Sequence, residues 1–474
     1  MPLISTSYSF PVFPLDVFMV IMDALASDPN ILPISKLQGL ISLSATCWML
    51  VEPARKCIFR TVTIRSFVPR PTWMTPDDLP SITFETMAMV LQRNPSIAKT
   101  VRTLNCQLIL RFANGLIIGN ILRQFTHLRS LALMAHEHFQ FSAHRYHSED
   151  DSDQEDLFYG INEQFINWRH MAPALQDAIR TLMHLPTLTT LELGKVVNFP
   201  IEVLERSQGL HTLNLNRCRL ARPFTQFSSI PSHSRQPQSV PLQVLRITPG
   251  ASSNVERLKC SRFGTPILDL SQIRELSFTF TTEFDDAQLA NLLAELPRLE
   301  ILSVIFKGPG RYEVRPSPSS LSLAATPATR EGYFLDNLRT LRIQHDVLEN
   351  CYALDSLLGV SSFKELHDVE VYLMVYPGMT GNLVSNLGDF AEDLSIESKF
   401  PVLESVSISI CLDEDGESSD SSEEDEEKED REAYKEETRS VWQSLRTTEL
   451  APLSALGTVC LSYSVKEVDG NIIV

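Results

Sequence analysis

A six-residue pattern, L-x-x-L-x-L with Leu, Ile, Val, Phe or Cys at the marked positions, recurs eleven times along the chain. It reads VRTLNC from Val101, LRSLAL from Leu128, LTTLEL from Leu188, LHTLNL from Leu210, LQVLRI from Leu242 and IRELSF from Ile273. The series continues as LEILSV from Leu299, LRTLRI from Leu338, LHDVEV from Leu366, LESVSI from Leu403 and LGTVCL from Leu456. Successive starts lie 27, 60, 22, 32, 31, 26, 39, 28, 37 and 53 residues apart. The last three residues of each segment alternate in–out–in, as a short strand with one buried face requires. Helical patterning precedes several strands: Leu175, Ile179, Leu182 and Leu185 share one face, and Leu289, Leu292, Leu293 and Leu296 another. Pro186, Pro297 and Pro401 then stop the helix two residues ahead of the next leucine. One helix–turn–strand unit cannot bury its own apolar side, so neighbours must stack into a parallel sheet with helices outside.

Over residues 95–465 this pattern resembles the leucine-rich-repeat family. The segment from Leu210 carries the longer family signature through Leu210, Leu213, Leu215, Cys218 and Leu220. The Asn/Cys position is not kept elsewhere. The resemblance therefore implies an α/β fold in which residues 96–465 form an irregular leucine-rich-repeat solenoid with a curved parallel sheet.

Ahead of the repeats, residues 10–65 read as a small helical module, joined by a connecting segment at 66–95. Pro14 suits the first turn of a helix, and Val17, Ile21 and Leu25 fall at i, i+4 and i+8 on one face. The stretch resembles the F-box. Phe13-Pro14 stand at its Leu-Pro place, Asp16 at the acidic place, and Val17 and Ile21 at the aliphatic places. Leu40, Leu43, Cys47 and Trp48 match its middle helix, and Ile58-Phe59 its closing pair. Three departures are a longer insert at 26–39, Asp for Glu at 16, and no basic residue directly before Trp48. A helical hairpin this small leaves apolar surface exposed and asks for a partner. The resemblance implies a Skp-type adaptor, and through it a cullin-RING ligase, docked on Phe13, Pro14, Leu15, Val17, Ile21, Leu43 and Trp48. The plainer alternative is a cap that seals the first repeat.

The net charge of −18 sits in two runs. Residues 413–432 hold thirteen acids against Lys428 and Arg431, and residues 149–156 hold six acids and no base. Both fall in the two widest repeat intervals and read as solvated inserts, an acidic loop at 148–157 and a disordered stretch at 412–433. Ser148, Ser152, Ser421 and Ser422 each have an acid three residues downstream, a spacing that suits an acid-directed kinase. No basic patch points to nucleic acid. No apolar run approaches membrane-spanning length, and no Lys or Arg precedes Lys36, the wrong shape for a secretory signal. The eight cysteines are scattered, with no C-x-x-C. An intracellular protein, cytoplasmic and/or nuclear, without a membrane partner is expected.

No phosphate-cradling loop, metalloprotease motif or nucleophile elbow is present, so an enzyme is not expected, and no cofactor is implied. His136, His138, His144 and His147 cluster, but lack a cysteine nearby and run into the acidic insert; no metal site is assigned. Arg246, Arg274, Arg339, Arg342 and His211 lie on or beside the strands, where cations could meet an acidic or phosphorylated target. The expected function is that of a substrate-recognition subunit of a Skp–cullin–F-box ubiquitin ligase, its target protein unspecified. The alternative is a leucine-rich-repeat interaction scaffold unconnected to ubiquitin.

Overall fold

Parallel strands in one shared register dominate the computed structural model of the chain. It describes residues 15–28, 31, 33–66, 81–108, 115–135, 165–221, 239–248, 254–259, 261–262, 265–280, 284–306, 335–345, 363–375, 391–412 (without 393 and 397), 443, 450–455 and 460–467. The acidic runs with Ser148, Ser152, Ser421 and Ser422, the histidines at 136–147, and Phe13-Pro14 lie outside these residues. The chain divides into two units, Met1–Phe199 with Arg206–Gly209, and Pro200–Glu205 with Leu210–Val474.

The first unit opens with three helices, α1 (Leu15–Ser27), α2 (Pro33–Thr46) and α3 (Trp48–Ile58). Strands β1 (Thr61–Arg65), β2 (Ser81–Thr83), β3 (Thr103–Leu108), β4 (Ser130–Ala135) and β6 (Thr190–Gly194) then pair in the order β2–β1–β3–β4–β6, all parallel. A short parallel pair, β5 (Ile166–Asn167) with β7 (Val196–Phe199), stands beside this sheet. Helices α4 (Phe84–Arg93), α5 (Ile97–Thr100), α6 (Gly115–Leu122) and α7 (Pro173–Met183) connect the strands. Leu175, Ile179 and Leu182 are buried along α7, as their periodicity predicts. Helices α6 and α7 approach so closely that a Cβ on Gly119 would stand 2.8 Å from the Ala174 carbonyl oxygen.

In the second unit eight parallel strands run in order: β8 (Thr212–Asn216), β10 (Val244–Ile247), β13 (Glu275–Phe280), β14 (Ile301–Phe306), β15 (Thr340–His345), β16 (Asp368–Val375), β17 (Ser405–Leu412) and β18 (Cys460–Glu467). Between them lie β9 (Arg219–Leu220), α8 (Val255–Leu258), the antiparallel pair β11 (Ser261–Arg262) with β12 (Thr265–Pro266), α9 (Phe284–Leu293) and α10 (Ala451–Ala455). Leu289, Leu292, Leu293 and Leu296 are buried on and just beyond α9.

The first ten motifs run onto these strands, and of the eleventh Cys460 and Leu461 lie on β18. Leu245 stands beside Leu213, Leu276 beside Leu245, and so on through Leu302, Leu341, Val369 and Val406, each the fourth residue of its motif. The same holds from Leu104 through Leu131 to Leu191. The first, fourth and sixth positions are buried together, as at Leu210, Leu213 and Leu215, so each unit adds one layer to a leucine ladder. Phe280 and Phe306, paired in register, stack with centroids 4.9 Å apart. Two details differ from the sequence reading. The sheet begins at Thr61, inside the stretch read as module and connecting segment: Val62 pairs with Leu104 and Ile64 with Cys106, making FRTVTI a further copy of the motif. At the other end Val406 pairs with Leu461, so the last segment is read two residues beyond the frame set by Leu456.

Among the described residues buried polar groups are few, and within the second unit Asn254 ties two successive repeats together. Fully buried, it accepts from the Leu220 N–H at 2.7 Å and donates from Nδ2 to the Cys218 carbonyl at 2.5 Å. Arg257 adds a hydrogen bond to the Leu220 carbonyl. These bonds secure the turn after β8, where Arg217 holds the left-handed conformation at φ 48°. Replacing Asn254 with Leu strands a buried donor and a buried acceptor, so a loss of about 3 kcal/mol in unfolding free energy is expected by urea denaturation. A loss below about 0.5 kcal/mol, the level of an ordinary surface change, would show the turn to be held otherwise.

Candidate docking face on the N-terminal helices

Helices α1, α2 and α3 form a small three-helix head with a thin core of Met22, Leu40, Leu50 and Ala54. Phe18, Met19, Leu25, Leu43, Cys57 and Ile58 pack around it, half-buried. Gly39 lets α2 come close to α1, since a Cβ there would stand 2.9 Å from Leu25 Cδ2. One extended residue, Cys47 (φ −153°, ψ 133°), separates α2 from α3 and puts Trp48 at the first position of α3. The Cys57 thiol lies 3.8 Å from Asp23 Oδ1. Burial first, and then the Asp23 carboxylate, push its pKa up, so it stays a thiol.

The interior face of α1 is Phe18, Met22 and Leu25, at i, i+4 and i+7. The predicted face of Val17, Ile21 and Leu25 is therefore divided. Leu25 turns inward, while Val17 and Ile21 turn outward with Val20, which is 68% exposed. Ile34 and Ile41 are exposed along α2, and Trp48, 82% exposed, stands with Met49 at the start of α3. Among the residues expected to dock, Val17, Ile21 and Trp48 are thus on the surface, and Leu43 leans on the core. Leu15 begins α1, and Phe13 and Pro14 lie outside the described residues. Val20, Ile34, Ile41 and Met49 were missed. Their signal is that α1 is apolar on both faces, too much for a core of this thickness.

The strand cations lie on the strands or just ahead of them. Arg246 and Arg342 stand at the outward fifth position of their motifs, three strands apart in one column. Arg274, Arg339 and His211 occupy the second position, where the backbone N–H groups of Arg274 and Arg339 bond the carbonyls of Gln243 and Glu300. Three of the five are neutralised on the neighbouring strand. Arg246 meets Glu275 at 2.9 Å, Arg274 meets Glu300 at 3.4 Å, and Arg342 meets Glu370 at 3.0 Å. Tyr372 also donates to Glu370, at 3.2 Å. Burial, with this carboxylate next, pushes the Tyr372 pKa up. These arginines form a charge-compensated surface, not a bare basic strip; Arg339 is exposed, and His211 is half-buried.

Among the described residues no helix is long and apolar enough to cross a membrane. No protein-family model matches the chain, and no curated protein shows a significant match to it.

Cys47, exposed beside Trp48, gives a probe of this face. Native thiol labelling at pH 8 should modify Cys47 well before Cys106, which is fully buried and whose pKa is pushed up to about 12 by that burial. Peptide mapping reads the order, and equal rates at the two positions would contradict the exposed helix junction.

Proposed function

We propose that the chain is the substrate-recognition subunit of a Skp–cullin–F-box ubiquitin ligase, with an F-box-like head and a leucine-rich-repeat-type array. The exposed apolar face of Val17, Val20, Ile21, Ile41 and Trp48 carries this reading. Branched aliphatic side chains and one tryptophan, presented on a rigid helical hairpin, are what an apolar protein surface would bury. A partner that covers them removes water from surface the head cannot cover by itself. Support also comes from the F-box-like residues in the same helices and from the repeated parallel strands that follow.

The mechanism is positional. The head holds the adaptor, the sheet and its loops hold a target protein, and the ligase's partner enzymes act on that target at raised effective concentration. No chemistry is asked of this chain.

The test is direct binding of the full chain to a purified Skp-type adaptor by size-exclusion co-elution and calorimetry. Deleting the head outright is a poor variant, because α3 runs into β1, which belongs to the sheet. Substituting Val20→Asp and Trp48→Ala instead changes only exposed side chains. The pair should weaken adaptor binding by more than about tenfold while the circular dichroism spectrum is unchanged. An intact chain that does not bind the adaptor would overturn the ubiquitin reading and leave the interaction scaffold.

A further inference from the structure

In the second unit Arg246, Arg274 and Arg342 are each balanced by an acid; in the first, a row of three arginines is not. Arg60, Arg102 and Arg129 occupy the same rung on three adjacent strands, just ahead of β1, β3 and β4. The Arg102 N–H donates to the Arg60 carbonyl at 2.8 Å, and the Arg129 N–H donates to the Arg102 carbonyl at 2.7 Å. The next member, Thr189, donates to Arg129 at 2.8 Å. Parallel strands lie about 4.8 Å apart, so three like charges fall within about 10 Å. Lys99 and His127, both exposed, flank them.

The corresponding rung of the second unit reads His211, Gln243, Arg274, Glu300, Arg339, His367, Glu404. There Glu300 stands 3.4 Å from Arg274 and Glu404 stands 3.2 Å from His367. Among the described residues, no carboxylate forms an ion pair with Arg60, Lys99, Arg102 or Arg129. Like charges on neighbouring rungs repel, so an uncompensated row is a cost to the fold. Arg102 is also held in place. Its Nη1 donates to the His127 carbonyl at 2.9 Å and to the Lys99 carbonyl at 3.2 Å, so the middle guanidinium is fixed before any ligand arrives.

We propose that the Arg60–Arg102–Arg129 row is a docking site for a short acidic peptide segment of a partner protein. Three rungs spanning about 10 Å match three to four residues of extended chain at about 3.3 Å each. Guanidinium forks suit carboxylates geometrically. Single-stranded nucleic acid is the less suitable polyanion: such sites add aromatic platforms for the bases, and no aromatic side chain is exposed at these rungs. The inference is independent of adaptor docking, since it uses none of the exposed apolar residues of the head.

The experiment is fluorescence anisotropy of labelled hexaglutamate with the full chain, titrated at low and physiological salt. Saturable binding that weakens with salt is expected. The double substitution Arg60→Gln/Arg129→Gln should weaken it by at least about fivefold, whereas Arg60→Lys/Arg129→Lys should hold it within about threefold. Arg246→Gln/Arg274→Gln, whose guanidinium groups already meet Glu275 and Glu300, should leave it unchanged. Arg102 is left intact because its carbonyl bonds are structural. Should the double glutamine variant fail to fold by circular dichroism, the Arg129→Gln single variant, expected to lose at least about twofold, is read instead. The proposal is overturned if hexaglutamate does not bind, if the glutamine variants that fold bind it undiminished, or if a single-stranded oligonucleotide binds more tightly than the peptide and loses that binding in the same variants.

Discussion

Lateral pairing in one fixed register is the constraint from which the rest of the structure follows. A short strand with two inward leucines is unstable alone. It gains its hydrogen bonds and its dry face only when the next unit sets the same two positions beside it. Leu245 beside Leu213, Leu276 beside Leu245 and Leu302 beside Leu276 show this rule acting strand after strand. A slip of one residue would turn every leucine to the outside, whereas a slip of two preserves the facing. Strand β18 behaves accordingly, with Leu461, the sixth and not the fourth position of its motif, paired to Val406, an offset of two that period-2 pairing tolerates.

The same rule decides where polar groups sit. The repeat from Leu210 is the one with the long family-like signature, yet its Asn/Cys position holds a buried cysteine in place of an amide. The amide comes instead from Asn254, 36 residues after Cys218, reaching back to bond both Cys218 and Leu220. Irregular sequence and regular pairing coexist because the requirement falls on the buried backbone, which any correctly placed amide can meet.

Much of this was legible in the sequence, and the failures have physical causes. The strands were readable because Leu-x-Leu pairs mark a buried face at period 2. The first strand was assigned to the module and not to the repeats because Ile58-Phe59 served equally well as the end of a helical module, and Phe59 also opens FRTVTI. The face of α1 was misassigned because Val17, Phe18, Val20, Ile21, Met22 and Leu25 are all apolar, so periodicity alone cannot choose an inside. The thin core chose, through Met22 packed on Leu40 and Leu50. The partners of the strand arginines were not legible for a different reason. Arg246 and Glu275 are 29 residues apart in the chain and meet only once the sheet exists.

That last failure shows what the surface charges are for. A solvent-exposed ion pair contributes about 0–1 kcal/mol, too little to hold a sheet together. Its larger effect here is to prevent self-repulsion, because in-register stacking places identical positions about 4.8 Å apart and any repeated cation would face its own kind. Glu300 interrupts such a run between Arg274 and Arg339, while Glu275 and Glu370 neutralise Arg246 and Arg342. The sheet can carry a strong local field only where this interruption is omitted, as it is between Arg60 and Arg129. A repeat architecture therefore has two kinds of outward rung, compensated ones that are nearly silent to a passing ligand and uncompensated ones that attract it. Which kind a given rung becomes depends on a single residue in the neighbouring unit.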